Sequence, residues 1–239
     1  MLSIIGIGPG GKMRMTLEAI ERIKNVDVIV GYGPYIDYVR EFIENQEVFQ
    51  NGMKGEIERC KKAIEFAKEG KEVAVISTGD AGLYGMAGPI LELAQDENID
   101  VEVLPGVSSA FSAAADLGAP LMMDTALISL SDLLVSYEKI KERVRAAAMS
   151  DFVISFYNPR SKGRTEYLKE AFEIIKEYRK ENTPVGIVRN SGRENFSYEI
   201  TTLGEIDFKK VDMKTIVLVG NSTSFISNGR IITKRGYDL

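Results

Sequence analysis

A glycine-rich segment near the start of the chain has the spacing of a phosphate-binding loop. Residues 6–11 read GIGPGG and fit the pattern GxGxxG, which in many proteins wraps the pyrophosphate of a dinucleotide. An NAD site also requires an acidic residue at the end of the second strand, where it binds the ribose. The predicted second strand ends at Tyr32 instead, and Pro9 removes one backbone N–H from the loop. The pattern therefore favours a ligand other than NAD.

Residue counts exclude several kinds of catalysis. The chain contains no histidine, which removes Ser-His-Asp and Cys-His mechanisms and the usual zinc sites. The single cysteine, Cys60, cannot form an intramolecular disulfide or hold an iron–sulfur cluster by itself, and we expect it to pack in a helix. Any acid–base catalysis must therefore use Asp, Glu, Tyr, Lys or Arg side chains. We expect no protein-bound metal.

Two further loops place polar groups after predicted strands. Residues 77–88, STGDAGLYGMAG, set Asp80 among small residues before a helix, and residues 103–110, VLPGVSSA, set Ser108 and Ser109 at a helix entrance. Ligands of open α/β sheets bind at the carboxyl ends of the strands, so both loops are candidates for a binding site. Taken singly, each is more typical of a structural turn with a helix N-cap; their order together favours a binding site.

The elements that would carry these loops are strands alternating with amphipathic helices. Predicted strands are LSIIGI, VDVIV, EVAVIS, VEVLPG, TALISL, DFVISFY, TPVGIVRN and KTIVLVGN; predicted helices include TLEAIERIK, EIERCKKAIEFAKEG, YEKIKERVRAAAM and residues 165–180. SYEITTLGEI and FISNGRIITKRG look antiparallel, the latter with a tight turn at Asn228-Gly229. We predict two α/β domains with mainly parallel or mixed sheets, residues 1–117 and 118–239, the boundary lying near Gly118. The predicted helix 165–180 alternates acidic and basic residues, as a solvated face does.

Composition narrows the partners. With 239 residues, 44% hydrophobic residues and a net charge of -5, the chain reads as an ordinary water-soluble protein. The acidic balance argues against nucleic-acid binding, which relies on a basic surface. No run approaches the ~20 apolar residues of a membrane span, and LSIIGI reads as a buried strand rather than a signal peptide. We therefore expect a cytoplasmic protein.

Six segments in order resemble the tetrapyrrole (corrin/porphyrin) methylases along essentially the whole chain. They are GIGPGG, STGDAGLYGMAG, LPGVSSAFSAAADLGAP, SFYNPRS, GIVRNSGREN and VLVGNS. GYGPYIDY, FYNPRSKGR and GIVRNSGREN look most like the members that methylate C17 of precorrin-3B or cobalt-factor III and promote ring contraction. The resemblance implies a homodimer of two-domain subunits, with S-adenosylmethionine and a corrinoid acceptor bound in the cleft between the domains.

The resemblance also implies roles for individual residues. Its methyl-donor contacts fall on Pro9, Thr78, Gly79, Asp80, Leu83, Ser108, Ser109, Tyr157 or Asn158, Asn190, Ser191 and Gly220. Candidates for proton transfer during ring contraction are Tyr32, Asp80 and Lys12. Candidates for contact with the acceptor and its carboxylates are Gly8, Gly10, Arg14, Arg160 and Arg189, since the arginine fork suits a carboxylate.

Other functions remain open from the sequence. A methyltransferase of the same fold could act on another precorrin position or on a substrate that is not a tetrapyrrole, as a diphthine-type enzyme does, although such an enzyme would lack FYNPRSKGR. A non-catalytic nucleotide-binding module would need a phosphate site, and the chain has no GxxxxGK[ST] loop. The sequence leaves open whether the acceptor carries cobalt.

Overall fold

The structure, a computed structural model, describes residues 1–238 and divides the chain into two compact units. They are Met1–Ser109 and Ala110–Leu239. The predicted boundary lies later, after residue 117, so the structure moves the helix Ser109–Leu117, apart from its first residue, into the second unit. The reason is packing: Ala113, Ala114 and Leu117 of this helix belong to a core cluster of the second unit.

Unit 1 is a five-stranded sheet with helices. Its elements are β1 (Leu2–Gly6), α1 (Leu17–Lys24), β2 (Val28–Tyr32), α2 (Gly33–Ile36), β3 (Glu47–Asn51), α3 (Glu56–Lys68), β4 (Val73–Ser77), α4 (Ala87–Leu93) and β5 (Val101–Leu104), with short 3-10 helices at Lys12–Arg14 and Asp37–Phe42. The strand order is β3-β2-β4-β1-β5, and all neighbouring strands are parallel. The predicted parallel sheet is confirmed here.

The sequence of β1 explains its central position in unit 1. Every residue of the strand is buried, as expected of a parallel strand covered on both faces. Leu2 and Ile4 pack in one apolar cluster and Ile5 in a second, because successive side chains of a strand point to opposite faces. Cys60 is fully buried in the first cluster, where burial raises the pKa of its thiol, so its predicted packing role is confirmed.

Unit 2 contains a mixed sheet and a small second sheet. Its elements are α5 (Ser109–Leu117), β6 (Gly118–Ala119), β7 (Thr125–Ser129), α6 (Tyr137–Met149), β8 (Val153–Tyr157), α7 (Tyr167–Lys176), β9 (Pro184–Arg189), β10 (Ser197–Thr202), β11 (Thr215–Val219), β12 (Ser224–Ser227) and β13 (Arg230–Thr233). The main sheet has the order β10-β9-β11-β8-β7, and the small one β12-β13-β6. In the main sheet only β7 and β8 run parallel to each other as neighbours.

Two local predictions in unit 2 had different outcomes. The hairpin between β12 and β13 is confirmed: Asn228 and Gly229 have φ values of 48° and 69°, as a tight two-residue turn requires. The predicted helix 165–180 is too long, because α7 ends at Lys176. Nor is α7 a purely solvated face, since Leu168, Ala171 and Phe172 are buried in the core.

The sequence prediction also missed elements. Strand β3 was not predicted; it is an edge strand with only partly buried side chains, so it lacks the apolar run that marks the central strands. None of the described helices combines the length and apolarity needed to cross a bilayer. Within the described residues, no group of three or more Asp, Glu, Cys or His side chains is arranged to hold a metal ion.

Candidate functional site

The parallel sheet of unit 1 brings its predicted site residues to one edge. Because β1, β2, β4 and β5 run in the same direction, the loops that follow them start at the same side of the sheet. The residues placed there are Gly8, Pro9, Gly10, Lys12 and Arg14 after β1, Tyr32 at the end of β2, Thr78, Gly79, Asp80 and Leu83 after β4, and Ser108 and Ser109 after β5.

The loops after β1 and β4 are joined through two glycines. The N–H of Gly8 donates to the carbonyl oxygen of Gly79 at 3.1 Å, and the N–H of Gly79 donates to that of Gly8 at 2.7 Å. Gly79 has a φ of +69°, a conformation that side chains disfavour, and a Cβ on it would lie 3.7 Å from the hydroxyl oxygen of Ser109. Gly8, Gly79 and Ser109 therefore lie close together at this edge of the sheet.

Two glycines of GIGPGG are required by contacts within the protein. A Cβ on Gly6 would lie 2.6 Å from the backbone nitrogen of Gly106, and a Cβ on Gly8 would collide with the carbonyl oxygen of Arg14. The expectation that this loop is shaped for close approach of a flat ligand stays a prediction, and Gly10, whose φ is 143°, adds a third position at which a side chain is disfavoured.

Asp80 links the loops after β4 and β5. Its carboxylate accepts hydrogen bonds from the N–H groups of Gly82, at 2.9 Å, and Gly106, at 3.1 Å. The alternative interpretation of Asp80 as a helix N-cap is wrong, because α4 begins only at Ala87 and its N-cap residue is Met86. Asp80 thus fixes the loops on which Gly79 and Ser108 lie.

Tyr32 has an aromatic and a cationic neighbour. Its ring makes an edge contact with Tyr35 at a centroid separation of 5.0 Å, and the guanidinium carbon of Arg59 lies 5.9 Å from its centroid. Arg59 is 5% exposed and donates to the side chain of Asn51, the residue paired with Tyr32 across β2 and β3. Neither Arg59 nor Asn51 was predicted, because their proximity to Tyr32 depends on the unpredicted strand β3.

Lys12, the third candidate for proton transfer, lies in the 3-10 helix after β1. Its ammonium group pairs with the carboxylate of Glu41 at 3.1 Å, and both side chains are more than half exposed. Such an exposed pair contributes little to stability and leaves Lys12 in contact with water.

The main sheet of unit 2 gathers a second group of predicted residues. Strand β11 is antiparallel to both β8 and β9, so β7, β8 and β9 all end at the same side of the sheet. The residues placed there are Tyr157, Asn158, Arg160, Arg189, Asn190 and Ser191.

Gly220 is not brought to this edge. It follows β11, which runs the opposite way, and its N–H donates at 2.9 Å to the carbonyl of Pro184, the first residue of β9. Its own carbonyl accepts a hydrogen bond from the buried guanidinium of Arg179 at 2.8 Å. Gly220 therefore lies near the start of β9 and Asn190 directly after its end, so the length of this strand, 6 residues at ~3.3 Å each, separates them. The structure places Gly220 among packing residues.

Two asparagines at the edge adopt left-handed backbone conformations. Asn158 has a φ of 51° and donates through its side-chain amide to the hydroxyl of Ser129 at 2.9 Å, which ties the end of β8 to the end of β7. Asn190 has a φ of 53° and donates to the carbonyl of Asn195 at 3.2 Å. Asparagine tolerates this conformation better than most residues, so both positions define sharp turns directly after strands.

The two arginines predicted to bind the acceptor also contact the protein. Arg160 donates to the carbonyl of Phe208 at 2.8 Å, and Arg189 donates to the carboxylate of Asp212 at 2.8 Å. Burial raises the pKa of Asp212, but hydrogen bonds from the N–H of Lys214, the hydroxyl of Thr215 and Arg189 outweigh it and hold that pKa below its ordinary value. Each guanidinium therefore has a fixed orientation after its strand.

Residues 1–207 match the family of Tetrapyrrole (Corrin/Porphyrin) Methylases, and the chain belongs to this family. The protein is thus a methylase whose two α/β units carry polar loops at the carboxyl ends of their strands.

Individual relatives share most or all of the chain. The probable cobalt-factor III C(17)-methyltransferase of Salmonella typhimurium is 49% identical over 100% of this chain and 100% of its own length. The cobalt-factor III methyltransferase of Priestia megaterium is 42% identical over 99% of this chain, which spans only 45% of that relative. The crystal structure of the methyltransferase CobJ has a TM-score of 0.93 at 31% identity and covers 98% of this chain and 99% of its own.

Proposed function

We propose that the protein transfers a methyl group from S-adenosylmethionine to C17 of a cobalt-factor III or precorrin-3B type acceptor, coupled to ring contraction, in cobalamin biosynthesis. The observation that carries this proposal is the 49% identity, over both full lengths, to a relative named as a probable cobalt-factor III C17-methyltransferase. A 42% identical relative is also named for cobalt-factor III, which favours the cobalt-carrying acceptor.

The loops of unit 1 fit the methyl donor chemically. Gly79 lies beside the hydroxyl of Ser109 and carries no Cβ that would occupy the space between them, and Asp80 holds the neighbouring backbone in place. We assign donor contacts to Pro9, Thr78, Gly79, Asp80, Leu83, Ser108 and Ser109 in unit 1 and to Tyr157, Asn158, Asn190 and Ser191 in unit 2; Gly220 is left out because of its position. The bound donor would supply an electrophilic methyl group with a neutral leaving group, so the residues need mainly to align it with the acceptor carbon.

Ring contraction adds proton transfers, and we rank the candidates for them by the contacts that each side chain makes. The carboxylate of Asp80 already accepts two backbone hydrogen bonds, and Lys12 is paired with Glu41 in water. Tyr32, half-buried at the end of β2 and flanked by Arg59, is the candidate we place first.

We propose that a separate set of residues contacts the acceptor, with the arginines binding its carboxylates. The set is Gly8, Gly10, Arg14, Arg160 and Arg189.

The decisive experiment is incubation of the protein with S-adenosylmethionine and, separately, cobalt-factor III and precorrin-3B. We expect a product heavier by one methyl group whose visible spectrum shows ring contraction, formed faster from cobalt-factor III. Methylation without the spectral change for both acceptors would favour a methylase acting at another precorrin position. Absence of methylation with either acceptor would contradict the proposal.

We propose two further properties of the protein, its oligomeric state and its location in the cell. We expect a homodimer, from the family resemblance, and a cytoplasmic location, from the composition. Light scattering after size-exclusion chromatography tests the first, since a dimer would have twice the 26.5 kDa chain mass. Fractionation of the native cells tests the second, with recovery in the membrane pellet as the contrary result.

A further inference from the structure

A chain of three polar side chains connects helix α5 to the segment after β9. Ser112 and Asp116 lie four residues apart and therefore on the same face of α5. The hydroxyl of Ser191 donates to the carboxylate of Asp116 at 2.5 Å, and the hydroxyls of Ser112 and Ser191 lie 2.7 Å apart. Ser112 is 4% exposed and Ser191 7% exposed, so both hydroxyls are buried, whereas Asp116 is partly exposed.

The ionised carboxylate fixes the direction of these hydrogen bonds. A carboxylate can only accept, so the single hydroxyl proton of Ser191 goes to Asp116. Ser112 must then donate its own proton to the hydroxyl oxygen of Ser191. The hydroxyl of Ser191 has no proton left for a ligand, so its part in ligand binding passes through the backbone that it holds in place.

Helix α5 receives a second hydrogen bond from the other donor segment of unit 2. The hydroxyl of Tyr157, at the end of β8, accepts from the N–H of Ala110 in the first turn of α5, at 3.0 Å. The end of β8 and the segment after β9 thus contact the same helix, the first at Ala110 and the second at Ser112 and Asp116. A shift of either segment along α5 would break these bonds.

We propose that Asp116 is a positioning residue for methyl-donor binding. By holding the hydroxyl of Ser191 it keeps Asn190 in its left-handed turn. It also fixes the segment after β9 against α5, the helix that Tyr157 contacts at Ala110. This inference rests on the proposed function, because it concerns the donor site assigned there. Asp116 itself needs no contact with the donor for this role. Nothing in the spacing of the sequence pairs residue 116 with residue 191.

The test is calorimetric titration of the intact protein with S-adenosylhomocysteine. Asp116→Ala removes the carboxylate that holds the buried Ser191 hydroxyl, so we expect the Kd to rise about tenfold, or about 1.4 kcal/mol. Asp116→Asn keeps an oxygen that accepts from Ser191, so its Kd should stay within about twofold of the wild type. Ser191→Ala removes the same bond from the other side and should weaken binding even if Asp116→Ala fails to fold.

A matched control lies at the opposite end of the unit 2 sheet. Asp151 also accepts a hydrogen bond from a serine hydroxyl, that of Ser222 at 2.6 Å, and it pairs with Arg179. Asp151→Ala should lower the free energy of unfolding without changing the Kd for S-adenosylhomocysteine. If Asp151→Ala loses as much affinity for S-adenosylhomocysteine as Asp116→Ala, general destabilisation explains both losses and the proposal is overturned.

The other outcomes of the titration distinguish a failure of the positioning role from a failure of the proposed methyl transfer. If the wild type binds S-adenosylhomocysteine and Asp116→Ala and Ser191→Ala bind it equally well, Asp116 has no positioning role. If Asp116→Asn loses as much affinity as Asp116→Ala, the charge rather than the hydrogen bond matters, and the positioning role is wrong. If the wild type itself does not bind, the proposed function fails first.

Discussion

The hydroxyl of Tyr157 accepts a hydrogen bond from the backbone N–H of Ala110 at 3.0 Å. The first N–H groups of a helix have no partner within the helix, so the tyrosine hydroxyl supplies one for α5. Tyr157 ends β8, whereas Ala110 lies 47 residues earlier, and the bond therefore anchors the start of α5 to the main sheet of unit 2.

Tyr157→Phe tests this anchor. The substitution keeps the ring and removes the acceptor, so we expect the free energy of unfolding to fall by about 1 kcal/mol and the affinity for S-adenosylhomocysteine to fall a few-fold. Urea denaturation and calorimetry measure the two quantities. Unchanged values for both would show that water replaces the hydroxyl without consequence.

Gly106→Ala should damage the edge of unit 1. A Cβ at this position would collide with the carbonyl of Gly79 and with the backbone of Gly6, so the loops after β1, β4 and β5 must move apart. We expect a loss of about 1–3 kcal/mol or more in unfolding free energy, together with weaker donor binding. Gly88→Ala in α4 is the control: apart from its chain neighbours, nothing lies within 4 Å of its Cβ. The helix preference of alanine is opposed there by the following Pro89, so we expect a change of less than about 1 kcal/mol and unchanged donor binding.

Tyr32→Phe should separate methyl transfer from ring contraction. Methyl transfer needs alignment of the two reactants, whereas contraction needs a proton donor or acceptor, and such groups contribute about 10²–10⁴-fold. We expect methyl label in the product without the spectral change of contraction. Tyr35→Phe, on the neighbouring ring, should behave as the wild type. Contraction at the wild-type rate in Tyr32→Phe would make Tyr32 a packing residue.

Arg160→Ala should weaken binding of the acceptor more than binding of the methyl donor. Loss of a guanidinium from a partly desolvated carboxylate costs about 1.5–3 kcal/mol, whereas the donor is not expected to contact Arg160. The KM for the acceptor and the Kd for S-adenosylhomocysteine should therefore diverge. Because Arg160 also donates to the carbonyl of Phe208, a similar change in both would assign it to the fold instead.

The ionised carboxylate of Asp212 should contribute to the stability of unit 2, and this contribution should be lost in acid. Its pKa is lowered in the folded protein from 3.8, so the carboxylate stabilises the fold above that value and the contribution is lost as the pH falls through the folded pKa. The difference in unfolding free energy between wild type and Asp212→Asn should therefore stay constant at neutral pH and shrink as the pH falls below 3.8. Arg189→Ala should move the pKa of Asp212 upward in a carbon-13 titration, and an unmoved pKa would contradict the pairing.

The sequence by itself determined most of the elements and where their loops begin. All eight predicted strands form, because central strands of a buried sheet require continuous apolar runs such as that of β1. The Asn228-Gly229 turn was equally readable, since few residue pairs adopt its conformation. Candidate residues such as Asp80 and Asn190 could be placed after strands for the same reason.

Only the tertiary structure decided which of these residues meet. Strand direction sends Gly220 to the opposite edge from Asn190, although the two occupy similar places after apolar strands in the sequence. Asp116 with Ser191 and Arg59 with Tyr32 came together through helices and an edge strand whose pairing carries no local signal. Apolar periodicity reports which face of an element is buried, but the neighbours of that face depend on strand order and direction, which are fixed by packing across the whole unit.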